Sequence, residues 1–384
     1  MMKKIKRVFL IVLDSCGIGN APDAERFGDK GADTFGTISR SAEFSVPNLK
    51  KLGIYAIDEI YGYNKAIYDA VPPLGSVGRA IELSNGKDTV AGHFEMAGII
   101  SELPFPTYPN GFPAEILDKI TAAWGVGCLC NKPYSGTEVI KDYGREHIAT
   151  GKPIVYTSAD SVFQIAAHED VIPVEKLYEL CETARALLQG NHRVARVIAR
   201  PFKGTYPDYY RTEKRHDYAI LPPDGMLLSR LKDAGFDVLS VGKISDIFSG
   251  VGITEAYPVK GNPACKDVSM ELLKKDFHGF CFINLVDFDS KFGHRNDING
   301  YARELSEFDT WLGDFMAGMN DDDALIITAD HGCDPGYPTT DHTRETVPVI
   351  LYSKSILPRN FGTIYGFDKV GKMAENLLER NVLF

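Results

Sequence analysis

The 384-residue sequence has no long apolar run, no surplus of basic side chains, no cysteine pattern and no repeated or low-complexity segment. Each absence removes a class of function. The apolar run near the start, Val8–Leu13, ends at Asp14. It is too short for a membrane span or for the core of a signal peptide, and it fits a buried parallel strand. Lys and Arg number 42 against 52 Asp and Glu, a formal net charge of -10. No cationic excess exists to neutralise a nucleic-acid backbone, although a small phosphorylated molecule needs only a few local cations. The seven cysteines are Cys16, Cys128, Cys130, Cys181, Cys265, Cys281 and Cys333. Their odd number and irregular spacing fit reduced thiols rather than a disulfide framework. Cys128 and Cys130 form C-x-C with no matching pair nearby, which argues against zinc and suits alternating positions on a short strand. The expected setting is cytoplasmic, without membrane or nucleic-acid partners, and the expected state is a monomer.

What is present suits two soluble domains. The length exceeds what one core usually covers, and 44% hydrophobic against 24% charged residues is an ordinary globular balance. Arg7–Asp14, Pro153–Ser158, Asp237–Val241, Phe280–Asp287 and Ala324–Thr328 read as buried strands. Pro113–Trp124, Pro173–Gln189, Asp224–Ala234, Ile298–Met319 and Lys369–Glu379 read as helices. This alternation predicts an α/β fold with a central, mainly parallel sheet between helices. Three of the strands end in acids: Asp14, Asp287 with Asp289, and Asp330. Ligands of open α/β sheets gather beyond the carboxyl ends of the strands. The middle of the chain contributes few such acids and carries Pro-, Gly- and aromatic-rich joints at 103–113 and 201–207. The expected organisation is a discontinuous metal-binding catalytic core, 1–101 with 221–384, interrupted by a smaller inserted α/β cap domain, 102–220.

The strongest cluster is Thr328-Ala329-Asp330-His331-Gly332, followed by Asp341-His342-Thr343. Asp287 to His294 lies upstream, and Asp14 closes the first strand. Mixed Asp and His donors suit zinc or manganese better than calcium. Six such side chains suffice for two metals, which can polarise an attacking and a leaving oxygen together. Taken singly, an Asp after a strand is a turn or helix cap and an Asp-His pair is surface. The conjunction of Asp14, Asp289, His294, Asp330, His331 and His342 carries the reading. Asp287 competes with Asp289 and could stand behind the ligands instead; Asp289 is the preferred donor.

Gly86-Lys87-Asp88-Thr89-Val90-Ala91-Gly92-His93-Phe94-Glu95 reads first as a capped helix start, with Asp88 or Thr89 at the cap. The same geometry suits chemistry. A Thr hydroxyl at a helix N-terminus faces free N–H groups and a positive dipole end, which favour an attached phosphate. A hydroxyl needs a metal or a base to become a nucleophile at neutral pH.

This segment resembles the G-K-D-T-x-x-G-H-x-E motif of phosphopentomutases, members of the alkaline phosphatase superfamily. The resemblance runs in order through Asp14–Gly19, Tyr156–Gln164, Arg196–Phe202, Arg211, Arg215–Ala219, Val241–Ile244 and the metal segments. Phe94 and Ala91 depart from it, standing where the family often has Trp and a hydroxyl residue. It implies an alkaline-phosphatase-like core and two Mn2+ ions. Asp289, His294 and His342 would hold one and Asp14, Asp330 and His331 the other, with Thr89 or its phosphate between them. It implies an isomerase of nucleoside salvage that interconverts ribose 1-phosphate and ribose 5-phosphate, and their 2-deoxy forms. Phosphorylated Thr89 would give its phosphoryl group to the substrate, forming a 1,5-bisphosphate, and recover the other. Glucose 1,6-bisphosphate or ribose 1,5-bisphosphate would prime it. The cap would supply Ser158, Asp160, Arg196, Ile198 and Arg211 around the sugar phosphate, and the core Lys243. Arg forks match phosphate oxygens bidentately, although Arg196 and Arg200 alone would read as a solvated strand face, Asp160 as a turn residue and Lys243 as an exposed helix start. The cap would also exclude water from the phosphothreonine.

Three rival readings follow from the same residues. A phosphatase or sulfatase of the superfamily would share the metal site but not the 156–164 and Arg196/Arg211 segments. A cofactor-independent phosphoglycerate mutase would use serine in a different motif, usually in a longer chain. A non-catalytic phospho-sugar sensor or metal-binding structural protein would need neither Thr89 nor the full ligand set.

Overall fold

The structure is a computed structural model and describes residues 4–62, 72–102, 105–158 and 161–380. The chain divides into two compact units, Met1–Leu103 with Pro222–Phe384, and Pro104–Leu221. It opens with β1 (Arg7–Leu13) and β2 (Ser76–Ile81). The second unit holds β3 (Leu129–Pro133), β4 (Ile154–Thr157), β5 (Val162–His168), β6 (Arg196–Lys203), β7 (Tyr210–Arg211) and β8 (His216–Ala219). The chain returns with β9 (Asp237–Val241), β10 (Glu255–Tyr257), β11 (Gly279–Leu285), β12 (Asp323–Thr328), β13 (Val347–Tyr352) and β14 (Asn360–Tyr365).

The first unit is built on an eight-stranded sheet in the order β10-β9-β11-β1-β12-β13-β2-β14. Strands β1, β11 and β12 are buried along their whole lengths. Both faces are covered, so these strands read as unbroken apolar runs rather than as alternating ones. On one face Phe9 of β1 meets Phe315 of helix Ile298–Gly318 edge to face, ring centroids 5.4 Å apart. That helix buries Tyr301, Leu305, Phe308, Leu312 and Phe315, the three-and-four spacing of a helix with one apolar side. On the other face Phe282 of β11 stacks under His93 of helix Thr89–Met96.

The sheet is parallel except for β13, which pairs antiparallel with both β12 and β2. A parallel partner for β12 would need a crossover away from the strand end. Instead, β12 runs up to the carboxyl edge, residues 329–346 remain there, and β13 runs back down. The carboxyl ends of β1, β2, β9, β11 and β12 share that edge.

In the second unit the order is β3-β4-β5-β6-β7, with β8 also on β6. Helices Ala114–Trp124 and Val174–Leu187 pack on Val155, Phe163, Ile165, Val197 and Ala199. Helix Glu138–Thr150 covers Ile154, Ala166 and Phe202 on the opposite face. Alternating positions on a regular strand would put Cys128 and Cys130 on one face, but they pack into these two different clusters. The strand is not regular: Cys130 and Asn131 have φ of 73° and 52°, and β3 bulges between Cys130 and Lys132. All seven cysteines are free. Among the described residues no helix is long and apolar enough to cross a membrane.

Candidate metal centre

Each donor stands where a strand of the first unit ends. Asp14 follows β1, and the next residue, Ser15, sits at φ 71°. This left-handed conformation costs a non-glycine residue about 1–3 kcal/mol. It aims the Ser15 N–H at Asp330 Oδ1, 3.0 Å away. Asp330 and His331 follow β12. Asp289 lies in a π-helical turn, Phe288–Phe292, and His294 in the turn after it. Asp287 is turned to another task. Its carboxylate accepts from the Asn262 N–H and from Lys291 Nζ, both at 2.8 Å, and its own N–H donates to Asn262 Oδ1. It ties the loop after β11 to helix Asn262–Lys274 and takes no part in the cluster of donors.

The donors converge. Asp14, Asp330 and His331 offer ligand atoms all within 4.8 Å of one another, as do Asp289, His331 and His342. His331 Nε2 lies 3.5 Å from Asp14 Oδ1 and 3.4 Å from Asp330 Oδ2. Asp289 is flanked by His294 Nε2 at 3.3 Å and His342 Nε2 at 3.5 Å. Asp14 Oδ1, Asp289 Oδ1, Asp330 Oδ2 and His342 Nε2 are buried with no hydrogen-bond partner among the described residues. Four unsatisfied donor-atom positions pointing into one cluster are costly unless cations bind there. The residues therefore fit divalent metal.

Electrostatics says the same. Burial, and then the charge of Asp330, push the Asp14 carboxyl up. Burial acts on Asp330 too, but the charges of His331 and His93 bring it down to about 2. Burial opposes ionisation of Asp289, yet the neighbouring imidazoles of His294 and His342 hold it well below the ordinary range. Burial disfavours a charged His331, but Asp330 and Asp14 hold it well above its usual value. Imidazolium protons thus balance the carboxylates, and a bound cation would replace them.

The Thr89 hydroxyl joins this cluster, with Oγ1 3.2 Å from His331 Nε2. Asp88 is the N-cap of helix Thr89–Met96 and accepts from the Val90 and Ala91 N–H groups. Thr89 is the first helical residue. A Cβ on Gly92 would lie 2.2 Å from the Asp330 carbonyl oxygen, so only glycine lets this helix approach the β12 loop so closely. Phe94 stacks on Phe248 with centroids 5.6 Å apart. Ala91 is buried against Gly86, where a Cβ would come within 2.9 Å of its own. Glu95 accepts from the N–H groups of Leu83, Ser84 and Phe367, and so anchors the helix to the end of β2.

Several residues with no assigned role complete the site. His93 Nδ1 lies 2.9 Å from the Thr89 carbonyl oxygen and 3.1 Å from Asp330 Oδ2. Asn284 donates to Asp14 Oδ2 at 2.9 Å and stands 3.3 Å from His93 Nε2. A lone Asn inside the apolar run of β11 was the available signal for it. Cys333 groups with Asp289 and His294 as a third set of donors. Arg344 is 2% exposed. It donates to Glu82 Oε2 at 2.5 Å and to the carbonyls of Glu82, Ser84 and Gly86 at 2.7, 2.9 and 2.6 Å. It binds the loop bearing Thr89 to the loop bearing His342, and no spacing in the sequence marks it.

Of the expected sugar-phosphate residues, Arg196 and Ile198 lie on one face of β6, with Arg196 Nη1 3.4 Å from Asp217 Oδ2. Ser158 directly follows β4, and Arg211 ends β7. Asp160 lies outside the described residues. Lys243 follows β9 in the first unit, beside Gly242, whose φ of 75° makes the turn.

Comparison with known proteins supplies the family. The metalloenzyme superfamily model matches residues 6–379. A phosphopentomutase of Lachnoclostridium phytofermentans is 54% identical over 368 residues, covering 96% of this chain and 94% of that protein. One from Acetivibrio thermocellus is 50% identical over 376 residues, covering 97% of this chain and 96% of that one. Among solved structures, the PH0037 protein of Pyrococcus horikoshii aligns with a TM-score of 0.51 at 16% identity, over 100% of this chain and 99% of that one, a likeness of fold. With its donors gathered at the carboxyl edge of an alkaline-phosphatase-like α/β sheet, the chain belongs to the phosphopentomutase family of the metalloenzyme superfamily.

Proposed function

We propose that this isomerase interconverts ribose 1-phosphate and ribose 5-phosphate, and the 2-deoxy forms, through phosphorylated Thr89. The observation that carries the reading is the Thr89 hydroxyl, 3.2 Å from His331 Nε2 and beside the unsatisfied carboxylate atoms of the cluster. Asp289, His294 and His342 are assigned one Mn2+, and Asp14, Asp330 and His331 a second. Bound there, the ions would neutralise phosphoryl oxygens and lower the pKa of a coordinated hydroxyl.

The residues of the chain have separate tasks. The start of helix Thr89–Met96 presents its positive dipole end to a phosphate on Oγ1, while the Val90 and Ala91 N–H groups stay with the Asp88 cap. Asn284 fixes the Asp14 carboxylate, and His93 fixes that of Asp330. Ser158, Asp160, Arg196, Ile198, Arg211 and Lys243 are assigned to the sugar phosphate. In the first half-reaction the bond from Thr89 Oγ1 to phosphorus breaks. A new ester bond forms to the free sugar hydroxyl, whose proton is released. The 1,5-bisphosphate then presents its other phosphoryl group: the bond from that phosphorus to the sugar oxygen breaks, the ester bond to Oγ1 forms again, and the freed sugar oxygen takes up a proton. One ester replaces another at each step, so no phosphate is set free. Glucose 1,6-bisphosphate or ribose 1,5-bisphosphate primes Thr89. The chain is assigned to the cytoplasm, as a monomer serving nucleoside salvage.

The test incubates the protein with Mn2+, a trace of glucose 1,6-bisphosphate and ribose 5-phosphate, and measures ribose 1-phosphate and free phosphate separately. Formation of ribose 1-phosphate with little free phosphate, abolished by Thr89→Ala, supports the mutase. Dominant release of free phosphate would identify a phosphatase.

A further inference from the structure

The loop 335–342 carries the donor His342 and contains neither strand nor helix. A bridge between Gly332 and Thr343 closes its base. Its first part is tied to the segment 28–33: the Tyr337 hydroxyl donates to the Gly28 carbonyl at 2.9 Å, and the nearby Asp334 accepts from the Asp33 N–H at 2.8 Å. Near His342 the contacts come from the metal side. His294 Nδ1 lies 2.7 Å from the Thr340 carbonyl oxygen, and Cys333 Sγ 3.6 Å from that of Asp341. His294 is itself an assigned donor, and its ring centroid is 4.6 Å from that of His342. The two imidazoles around Asp289 thus brace one another, and their common position depends on what holds the loop from outside.

Lys87 provides that hold. Its Nζ lies 3.0 Å from Asp29 Oδ2 and 3.2 Å from Asp29 Oδ1, and 3.5 Å from Asp341 Oδ2. Asp29 is buried, and its Oδ2 also accepts from the Arg344 N–H at 2.8 Å. The other oxygen of Asp341, Oδ1, accepts from the His342 N–H at 2.8 Å. One line of contacts therefore runs from buried Asp29 through Lys87 and Asp341 to the backbone of His342. Lys87 also precedes the Asp88 cap and Thr89. The segment bearing the hydroxyl and the segment bearing the imidazole meet at one ammonium. An exposed ion pair is worth little when two long side chains must be ordered to make it. Asp341 is exposed, but Asp29 already fixes the ammonium and the His342 N–H already fixes the carboxylate, so little further ordering is needed.

We propose that Lys87 is a positioning residue for the Asp289, His294 and His342 metal site, acting through Asp341. Lys87 had no assigned role. The inference rests on the two-metal reading and goes beyond it, because it makes occupancy of one site depend on the segment that carries the nucleophile. The sign of the effect is distinctive. As a charge alone, an ammonium near a cation site repels the cation, and its removal should tighten Mn2+ binding. As a latch, its removal frees the His342 segment and weakens Mn2+ binding.

Mn2+ titration calorimetry on the full chain, together with electron paramagnetic resonance of the bound ions, tests this in wild type, Lys87→Met, Lys87→Arg and the double variant Lys87→Met with Asp29→Asn. Lys87→Met is expected to weaken one of the two Mn2+ ions about tenfold, the lower end of the effect of losing a group that orients a ligand, and to leave the other unchanged. At stoichiometric Mn2+ the magnetic signal of a coupled pair then gives way to that of isolated ions. Lys87→Arg keeps the charge and is expected to restore the pair. Asp29→Asn removes the buried carboxylate that Lys87→Met leaves unpaired, so the double variant reports on the latch even if the single one melts early. Unchanged or tighter Mn2+ binding in both Met variants would overturn the proposal. Equal weakening of both ions, the mark of a loosened fold, would overturn it too. If Mn2+ follows the expected pattern but the wild type forms no ribose 1-phosphate, the mutase reading falls and the latch stands. Ribose 1-phosphate formed by the wild type, with Mn2+ held at wild-type strength in both Met variants, would do the reverse.

Discussion

Thr89 Oγ1 and His331 Nε2 lie 3.2 Å apart although 242 positions separate them in the chain. Thr89 opens a helix reached from the end of β2, and His331 follows β12. These strands are separated in the sheet by β13 alone, so their ends stand about 10 Å apart and the two loops close the gap. Thr89→Ala removes the oxygen without disturbing the Asp88 cap. Mutase turnover is expected to fall by on the order of 10³-fold or more, with the melting temperature nearly unchanged. Thr89→Ser keeps the oxygen and is expected to retain measurable turnover. Steady-state kinetics and incorporation of labelled phosphate into the protein would check both.

Chelation is expected to abolish turnover while leaving the circular dichroism of the fold intact, because the donors sit on loops whose strands are independently buried. Titrating Mn2+ back should raise thermal stability. At a free concentration of 100 times Kd, the gain is about 2.7 kcal/mol. Melting curves that do not respond to Mn2+ would contradict the metal assignment.

Asn284→Leu tests the support behind the donors. Asn284 holds Asp14 Oδ2 at 2.9 Å from inside β11. Its loss is expected to weaken Mn2+ affinity about 10–100-fold, the usual effect of losing a group that orients a ligand. Calorimetric titration of Mn2+ gives the answer without any activity assay.

Arg344→Met strips a buried guanidinium from Glu82 and from three carbonyl oxygens. Removing one partner of a buried pair leaves the other uncompensated, at about 3–5 kcal/mol. Urea unfolding should show that loss. Turnover should fall in addition, even where the variant is folded, because the 82–88 loop loses its tie to the His342 loop.

The second unit should weaken in mild acid through His147. Its Nδ1 faces the Lys152 carbonyl at 2.7 Å, and its Nε2 accepts from the His168 N–H at 2.9 Å. Burial holds this imidazole below its ordinary value. The folded form therefore resists the proton more than the unfolded chain does. The stability it supports is complete above about pH 6.5 and is lost as pH falls toward the depressed folded value. Denaturant midpoints between pH 5 and 8 should show that slope in the wild type and a flatter one in His147→Gln.

Some of this was legible in the residues themselves. β1, β11 and β12 announce themselves because strands buried on both faces have no polar alternation to blur them. Helix Ile298–Gly318 shows its three-and-four spacing and an Asp297 cap that accepts from the Gly300 N–H. β2, β13 and β14 were not expected. β2 carries Gly78 and Arg79, β13 contains Pro348, and β14 is a half-exposed edge, so none has a clean period. Asp287 and Asp289 were both candidates, since each follows the same strand. The π-helical turn and the capture of Asp287 by Asn262 separated them.

The order of residues alone set the chemistry available: acids and imidazoles placed after apolar strands, a threonine at a capped helix start, and an acidic balance of charge. These are local properties, set by residue type and short-range period. The tertiary structure decided which of those groups meet. In the eight-stranded sheet the antiparallel strand β13 keeps residues 329–346 at the carboxyl edge, Gly92 admits the Thr89 helix to the Asp330 backbone, and Arg344 ties the two loops together. Such contacts depend on strand order and close approach between distant segments, and no local pattern records them.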